Sequence, residues 1–164
     1  PAAFEDLDLD VYDLSMSLNL RTPTIIAAAA IPHLRKRGGG CLLFTASTGG
    51  IVGSPLSPVY SGAKFGVVGL ARSLAKRYGR ENIRCKVICP HATNTPMLRH
   101  FQQRPDAPKN EMDVEDIIDN LGKMNPMGRN CEPREVATVA LFLVSEDASY
   151  LNGVVIPVDG GATA

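Results

Sequence analysis

The sequence predicts an α/β fold, a parallel sheet of about three strands with flanking helices, from three observations. Two apolar runs, "CLLFTAS" (41–47) and "IRCKVICP" (83–90), have the continuous hydrophobic character of strands covered on both faces. A third, "GVVIPVDGG" (153–161), lies near the C-terminus. Helical periodicity fills the intervals, and strand, helix, strand, helices, strand is the order that parallel pairing through crossovers requires.

Each element has its own local signal. From Asp10 to Arg37, Val11, Leu14, Leu18, Ile25, Ile26, Ala29 and Leu34 recur at helical spacing, and "KRGGG" ends the run. This predicts one long helix bent at Pro23. A Gly/Ser/Pro loop, 48–57, follows the first strand. In "SPVYSGAKFGVVGLARSLAKRYG" (57–79), Ser57 is placed to cap a helix, Pro58 occupies its first turn and Gly79 closes it. Residues 90–126 form a polar, methionine-dotted excursion with a short helix predicted around Val114 to Gly122. Segments of that length in compact domains are commonly lids or binding loops, so 97–127 is assigned as a substrate lid. "CEPREVATVALFLVS" predicts a helix beginning near Pro133.

The totals narrow the class of partner. A chain of 164 residues, 45% hydrophobic and 21% charged, suits one globular domain. Seventeen basic residues balance seventeen acidic ones without a block of either sign. Nucleic acid and anionic membrane are therefore disfavoured, and a small, nearly neutral ligand is the better match. The longest apolar run, "TIIAAAAIP", is too short to span a bilayer and follows no basic leader, which predicts a soluble, cytoplasmic protein. The spacing of Cys41, Cys85, Cys89 and Cys131 suggests no disulfide framework and agrees with a reducing compartment.

Chemistry concentrates at the start of the 57–79 helix. Tyr60 and Lys64 are four apart, on one helical face. An ammonium about 4 Å from a phenol is worth up to about 4 kcal/mol at an effective dielectric of about 20, enough to bring a tyrosine toward neutral pH. Tyr60 also sits in the first turn, where unpaired N–H groups favour negative charge. Such a pair arises by chance in many helices, so it is weak alone. Ser47 strengthens it, because it stands at the C-terminal end of a buried strand, where open parallel sheets place their ligands.

With that serine, the pattern resembles the classical short-chain dehydrogenase/reductase family, whose members carry a serine at this spacing before Y-x-x-x-K. The resemblance runs over nearly the whole chain. "SLNL" resembles the family's helix with a catalytic asparagine, here Asn19. "CPHATNTPML" resembles its segment over the nicotinamide, "GRNCEPREVATVALFLVSEDASYLNG" its penultimate helix and turn, and "VVIPVDGG" its last strand. The resemblance implies an incomplete Rossmann-like doubly wound sheet and an oxidoreductase that interconverts an alcohol and a ketone or aldehyde with NAD or NADP. By position, Ser47 polarises the substrate carbonyl and Tyr60 exchanges the proton. Lys64 depresses the tyrosine pKa and holds the nicotinamide ribose, while Asn19 holds a water in the proton relay. Pro23 lacks an N–H and so frees the carbonyl of residue 19 for that water. Pro90, His91, Thr93 and Thr95 are implied along the cofactor, with Thr95 at the carboxamide and Pro90 against the ring. The complete protein is expected to be a homodimer or homotetramer.

Two positions depart from the pattern: His91 stands where glycine is usual, and Lys86 where asparagine is common. Ala63 replaces a frequent serine and is expected to be neutral. "TGGIVGSP" imitates a phosphate-binding turn but ends in Pro55 and has no acidic residue about twenty positions on. "RKRGGG" precedes a strand and is a turn. Cys85, Cys89 and His91 fit a buried strand face better than a metal site, and Asp159 fits a turn better than an acid. The family's glycine-rich fingerprint is expected upstream of Asn19, and none is present. Residues 1–164 are therefore read as one partial domain that binds NAD(P)H negligibly by itself. The alternative is a truncated or non-catalytic relative that serves as a binding or assembly partner.

Overall fold

The three apolar runs are strands β1 (Gly40–Thr45), β2 (Ile83–Pro90) and β3 (Val155–Val158) in a computed structural model describing residues 4–103 and 112–164. All pairing is parallel in the order β1-β2-β3, with Cys41 opposite Arg84, Thr45 opposite Ile88 and Pro90 opposite Val158. β1 ends before the predicted Ser47. Ala46 still donates to Ile88 O at 2.9 Å, but the Ser47 hydroxyl accepts from Gly49 N at 3.1 Å and turns the chain into a single 3₁₀ turn, Thr48–Gly50.

The first predicted helix is continuous but is not simply kinked. α1 (Leu9–Met16) starts at Asp8, whose carboxylate accepts from Asp10 N at 2.9 Å, and α2 (Thr22–Lys36) ends at the glycines. Between them Ser17–Arg21 is π-helical, with the Thr22 N–H reaching back to Ser17 O. The helix thus meets the missing donor of Pro23 by widening ahead of it, which corrects the simple bend expected there. After α2, Gly38 and Gly39 take φ of +86° and +131° and donate to Arg35 O and Leu34 O, conformations that a side chain would resist.

α3 (Pro58–Tyr78) is the crossover from β1 to β2. Ser57 occupies its cap position, although its hydroxyl does not bond the first-turn N–H groups. Gly79 follows as predicted, and Asn82, at φ +57°, completes the turn into β2. The main core lies between α2, α3 and one face of the sheet. Ile83, Cys85, Val87 and Cys89 alternate along β2 and meet Ala27, Ile31, Val67, Val68, Ala71 and Ala75. Cys85 and Cys89 therefore share one buried face; burial pushes the Cys85 thiol up to about 11, with Cys41 adding to it.

Lys86 points to the opposite face. It is fully buried, and its Nζ donates to Leu143 O at 2.5 Å and Ala148 O at 2.7 Å, tying β2 to the end of a later helix. Burial holds its pKa below the ordinary lysine value.

The excursion contains one helix that the sequence pattern did not suggest, α4 (Pro96–Gln102). The expected helix is present as α5 (Val114–Met124), two residues longer than anticipated. α4 and α5 are joined by Arg99, whose Nε and a terminal nitrogen donate to the Glu115 carboxylate at 2.7 and 2.9 Å. Residues 104–111 of the expected lid lie outside the described residues. α6 (Pro133–Val144) begins where Glu135 accepts from Glu132 N at 2.8 Å, and the turn after it leads to β3. Among the described residues no helix is long and apolar enough to cross a membrane.

Candidate active site

The C-terminal ends of β1 and β2 and the first turn of α3 converge on one site. Ser47 leaves β1 in extended conformation, φ −164° and ψ 162°. Its hydroxyl oxygen accepts from Gly49 N, which leaves the hydroxyl proton to donate elsewhere. The phenol of Tyr60 lies in front of it, and the Ser47 hydroxyl favours the ionised form of that phenol. The loop is held against α3 at two places. Ser61 Oγ donates to Gly49 O, and Gly50 packs so closely on Lys64 that a Cβ would lie 2.8 Å from the Lys64 carbonyl oxygen.

Tyr60 occupies the third helical position of α3, as the spacing implied. Its acidity differs from the expectation. Burial is the dominant influence and pushes the phenol above its ordinary value, Ser47 opposes this, and the neighbouring Cys89 adds to it. Lys64 engages the end of β1. Its Nζ donates to Thr45 O at 3.2 Å and stands 5.5 Å from the centre of the Tyr60 ring. Burial lowers the lysine in turn, with Cys89 opposing. Two groups withdrawn together from water each favour their neutral form, and it is the Ser47 hydroxyl that opposes burial at Tyr60.

Asn19 lies on the π-helical segment, which packs against α3 through Leu20 and Gly66. Its side-chain amide donates to Ser15 O at 2.9 Å and so is engaged within its own helix. Pro90 ends β2 beside Val158. His91 donates its backbone N–H to Val158 O at 3.1 Å and places its ring Nδ1 3.1 Å from Thr48 Oγ1. Thr93 Oγ1 donates to His91 O at 2.9 Å, and the Thr93 backbone bridges to Cys131. Thr95 Oγ1 accepts from Leu98 N at 3.3 Å, capping α4, and also donates to Thr93 O. Asp159 proves to be a turn residue, its carboxylate accepting from Gly161 N, Thr163 N and Thr163 Oγ1.

The sequence pattern did not point to three further groups. Phe101, on α4, brings its ring to 6.5 Å from that of Tyr60, tilted by 53°. The pair Thr95-Pro96 is a legible helix start and could have placed that ring. Cys89 lies behind Tyr60 and Lys64 with its thiol at the Ser47 backbone; its strand phase showed burial but not this neighbour. Ser61 carried no local signal at all.

A separate open concavity of about 500 Å³ lies beside α6, lined by Asn94, Arg129, Glu132 and Glu135 among others. Two of its charges are matched to each other, because Arg129 donates to both Glu135 oxygens at 2.8 and 2.7 Å. It holds no combination of nucleophile and proton carrier like that at Tyr60. Among the described residues no group of three or more His, Cys, Asp or Glu side chains is arranged to hold a metal ion.

Comparison with known proteins identifies the family and the fold. A family model described as Enoyl-(Acyl carrier protein) reductase matches residues 1–163. A crystal structure of an oxidoreductase of the short-chain dehydrogenase/reductase family from Burkholderia thailandensis superposes with a TM-score of 0.84 at 29% identity, over 98% of this chain and 59% of that one. The chain belongs to the short-chain dehydrogenase/reductase family. Within that family it is similar to levodione reductase of Leifsonia aquatica, 39% identical over 93% of this chain and 56% of the relative. Meso-2,3-butanediol dehydrogenase of Serratia marcescens is 40% identical over 82% of this chain and 49% of the relative. The chain thus spans about half to three-fifths of the length of these short-chain dehydrogenase/reductase relatives, and its sheet and flanking helices are the Rossmann-like α/β fold of the family.

Proposed function

We propose that the protein carrying this chain interconverts an alcohol with a ketone or aldehyde, using NAD or NADP. The observation that carries this reading is the Ser47 hydroxyl facing the Tyr60 phenol beside Lys64, at the C-terminal end of parallel strands. The nicotinamide, when bound, supplies or accepts the hydride. In the reductive direction Ser47 donates a hydrogen bond to the substrate carbonyl oxygen, and Tyr60 delivers a proton to that oxygen as charge develops on it. The first-turn position of Tyr60 favours the resulting phenolate.

The residues present suit the nicotinamide-ribose end of a dinucleotide, and the pyrophosphate cradle is not among them. The Lys64 ammonium is held by a backbone carbonyl and, among the described residues, is paired with no carboxylate, which supports its reaching ribose hydroxyls. Pro90, His91, Thr93 and Thr95 lie on the segment that follows β2, where two threonine hydroxyls are held by backbone carbonyls of the segment itself. Asn19 would hold a relay water from the helix packed on α3. Phe101 over Tyr60 supports the 97–127 excursion as a substrate-facing element. Among the described residues β1 pairs only with β2, which supports reading 1–164 as part of a wider sheet. Exposed Val11, Leu14, Leu18, Ile25 and Ile26, along α1, the π-helical segment and α2, are consistent with a homodimer or homotetramer.

The relatives suggest where to begin with substrates. The natural gene product containing residues 1–164 is mixed with NADH or NADPH and levodione, and with NAD or NADP and 2,3-butanediol. Turnover with at least one pair is expected, and Tyr60→Phe should reduce kcat by about 10²- to 10⁴-fold with the fold intact. No turnover with any pair, or full activity in the phenylalanine variant, would favour the binding or assembly role.

A further inference from the structure

We propose that His91, at the position where short-chain dehydrogenases usually carry glycine, is a positioning residue that fixes the serine loop against the β2–β3 end of the sheet. The inference rests on the oxidoreductase reading above. Its basis is one contact: His91 Nδ1 and Thr48 Oγ1 are 3.1 Å apart, a hydrogen bond whichever atom carries the proton.

Both ends of this contact are anchored. His91 is bound into the sheet edge by its N–H to Val158 O at 3.1 Å, and its carbonyl accepts from Thr93 Oγ1 at 2.9 Å. Thr48 is buried, at 7% exposure, and directly follows Ser47. Its carbonyl accepts the N–H groups of Ile51 and Val52 at 2.9 Å, so Thr48 is the pivot of the 3₁₀ turn. Other restraints on this loop come from α3, through Ser61 and the close packing of Gly50 on Lys64, and from β2, where the Cys89 thiol meets the Ser47 backbone. Those restraints fix its distance from Tyr60. The imidazole adds a restraint from the opposite side, where the segment 90–95 is expected to run along the nicotinamide.

Glycine at position 91 has no side chain with which to make this link. The histidine therefore couples two surfaces that must agree for reaction: the Ser47 hydroxyl that orients the carbonyl oxygen, and the segment beside the hydride donor. Misplacement by about 1 Å can cost on the order of 100-fold in rate. The link is a structural one and needs no change of charge on the ring; Asp159, itself bound by Thr163, and Arg129 and Glu135 are charged groups around the same small cavity as His91.

The test uses the natural gene product in steady-state kinetics, with Tyr60→Phe as the control for the underlying reading. His91→Ala and Thr48→Val should each lower kcat by about ten- to a hundredfold, and in Thr48→Val, whose residue is not in the cofactor segment, the KM for the nicotinamide should change less than about twofold. The double variant should be no slower than the worse single variant, because both remove the same bond. His91→Asn, which keeps a polar atom at the δ position, should recover most of the loss, and Thr48→Ser should stay near wild type. Independently of turnover, the ¹⁵N resonance of His91 Nδ1 should shift in Thr48→Val. If Tyr60→Phe is silenced while His91→Ala and Thr48→Val keep full kcat, the proposal fails and the oxidoreductase reading stands. Losses that multiply in the double variant, or an unmoved Nδ1 resonance, also overturn it. If Tyr60→Phe remains active, the oxidoreductase reading itself falls and the positioning role falls with it.

Discussion

Lys64 Nζ is bound to the carbonyl of Thr45 at 3.2 Å and stands 5.5 Å from the centre of the Tyr60 ring, so the cation is tethered to the strand end. Both side chains are withdrawn from water, and each is driven toward its neutral form.

This relationship has a spectroscopic consequence. With ¹³C-labelled tyrosine, the Cζ resonance of Tyr60, assigned by its loss in Tyr60→Phe, should titrate above the free-tyrosine value of about 10. Because the Ser47 hydroxyl opposes the effect of burial, Ser47→Ala should move the titration higher still. A midpoint below that of free tyrosine in the cofactor-free protein would contradict the geometry.

The contact of the serine loop with α3 is intolerant of added bulk. A Cβ at Gly50 would lie 2.8 Å from both the carbonyl carbon and the carbonyl oxygen of Lys64, and neither backbone atom can rotate away. Gly50→Ala should cost about 1–3 kcal/mol in denaturant unfolding and should lower kcat by displacing Ser47. Unchanged stability together with unchanged kcat would show that the loop can relax.

Buried Lys86 makes a stability prediction away from the chemistry. Lys86→Met fills similar volume but leaves Leu143 O and Ala148 O without their donor, at a cost of roughly 2–4 kcal/mol. Equilibrium denaturation measures it, and a loss under about 0.5 kcal/mol would mean that the carbonyls find other partners.

At the α6 start, the bidentate Arg129 contact and then the Glu132 N–H hold the Glu135 carboxyl at about 2. A carboxyl depressed in the folded state contributes stability above its ordinary value of 4.5 and loses it as pH falls toward about 2. The melting temperature of the wild type should therefore drop more steeply than that of Glu135→Gln across this interval. Salt should flatten the difference, because the pair is exposed. Parallel pH curves for the two proteins would rule out the linkage.

What the sequence made legible was whatever depends on local pattern. β2 was readable because both of its faces are covered and nearly every residue is apolar. The Tyr60–Lys64 spacing was readable because four residues on a helix define a face. The direction of the Tyr60 pKa was not, since it depends on burial by chain segments far away in sequence. Lys86 looked like an isolated departure because its acceptors, Leu143 O and Ala148 O, lie 57 and 62 residues on. Pro23 signalled a disturbed helix correctly, but nothing local distinguished a bend from the π-helical widening at Ser17–Arg21. α4 was hidden in a polar excursion despite its Thr95-Pro96 start, and the Phe101 contact with Tyr60 was hidden with it.

The central claim is that Tyr60 supplies the proton while a nicotinamide supplies the hydride to one carbonyl. Its most direct test is label transfer by the natural gene product, with NADH or NADPH carrying deuterium at C4 and mass spectrometry of the product alcohol. The account expects one deuterium on the former carbonyl carbon with one of the two C4 epimers of the cofactor, and about 10²- to 10⁴-fold slower appearance of that product in Tyr60→Phe. Alcohol product without deuterium from either epimer, or equal rates in the two proteins, would contradict it.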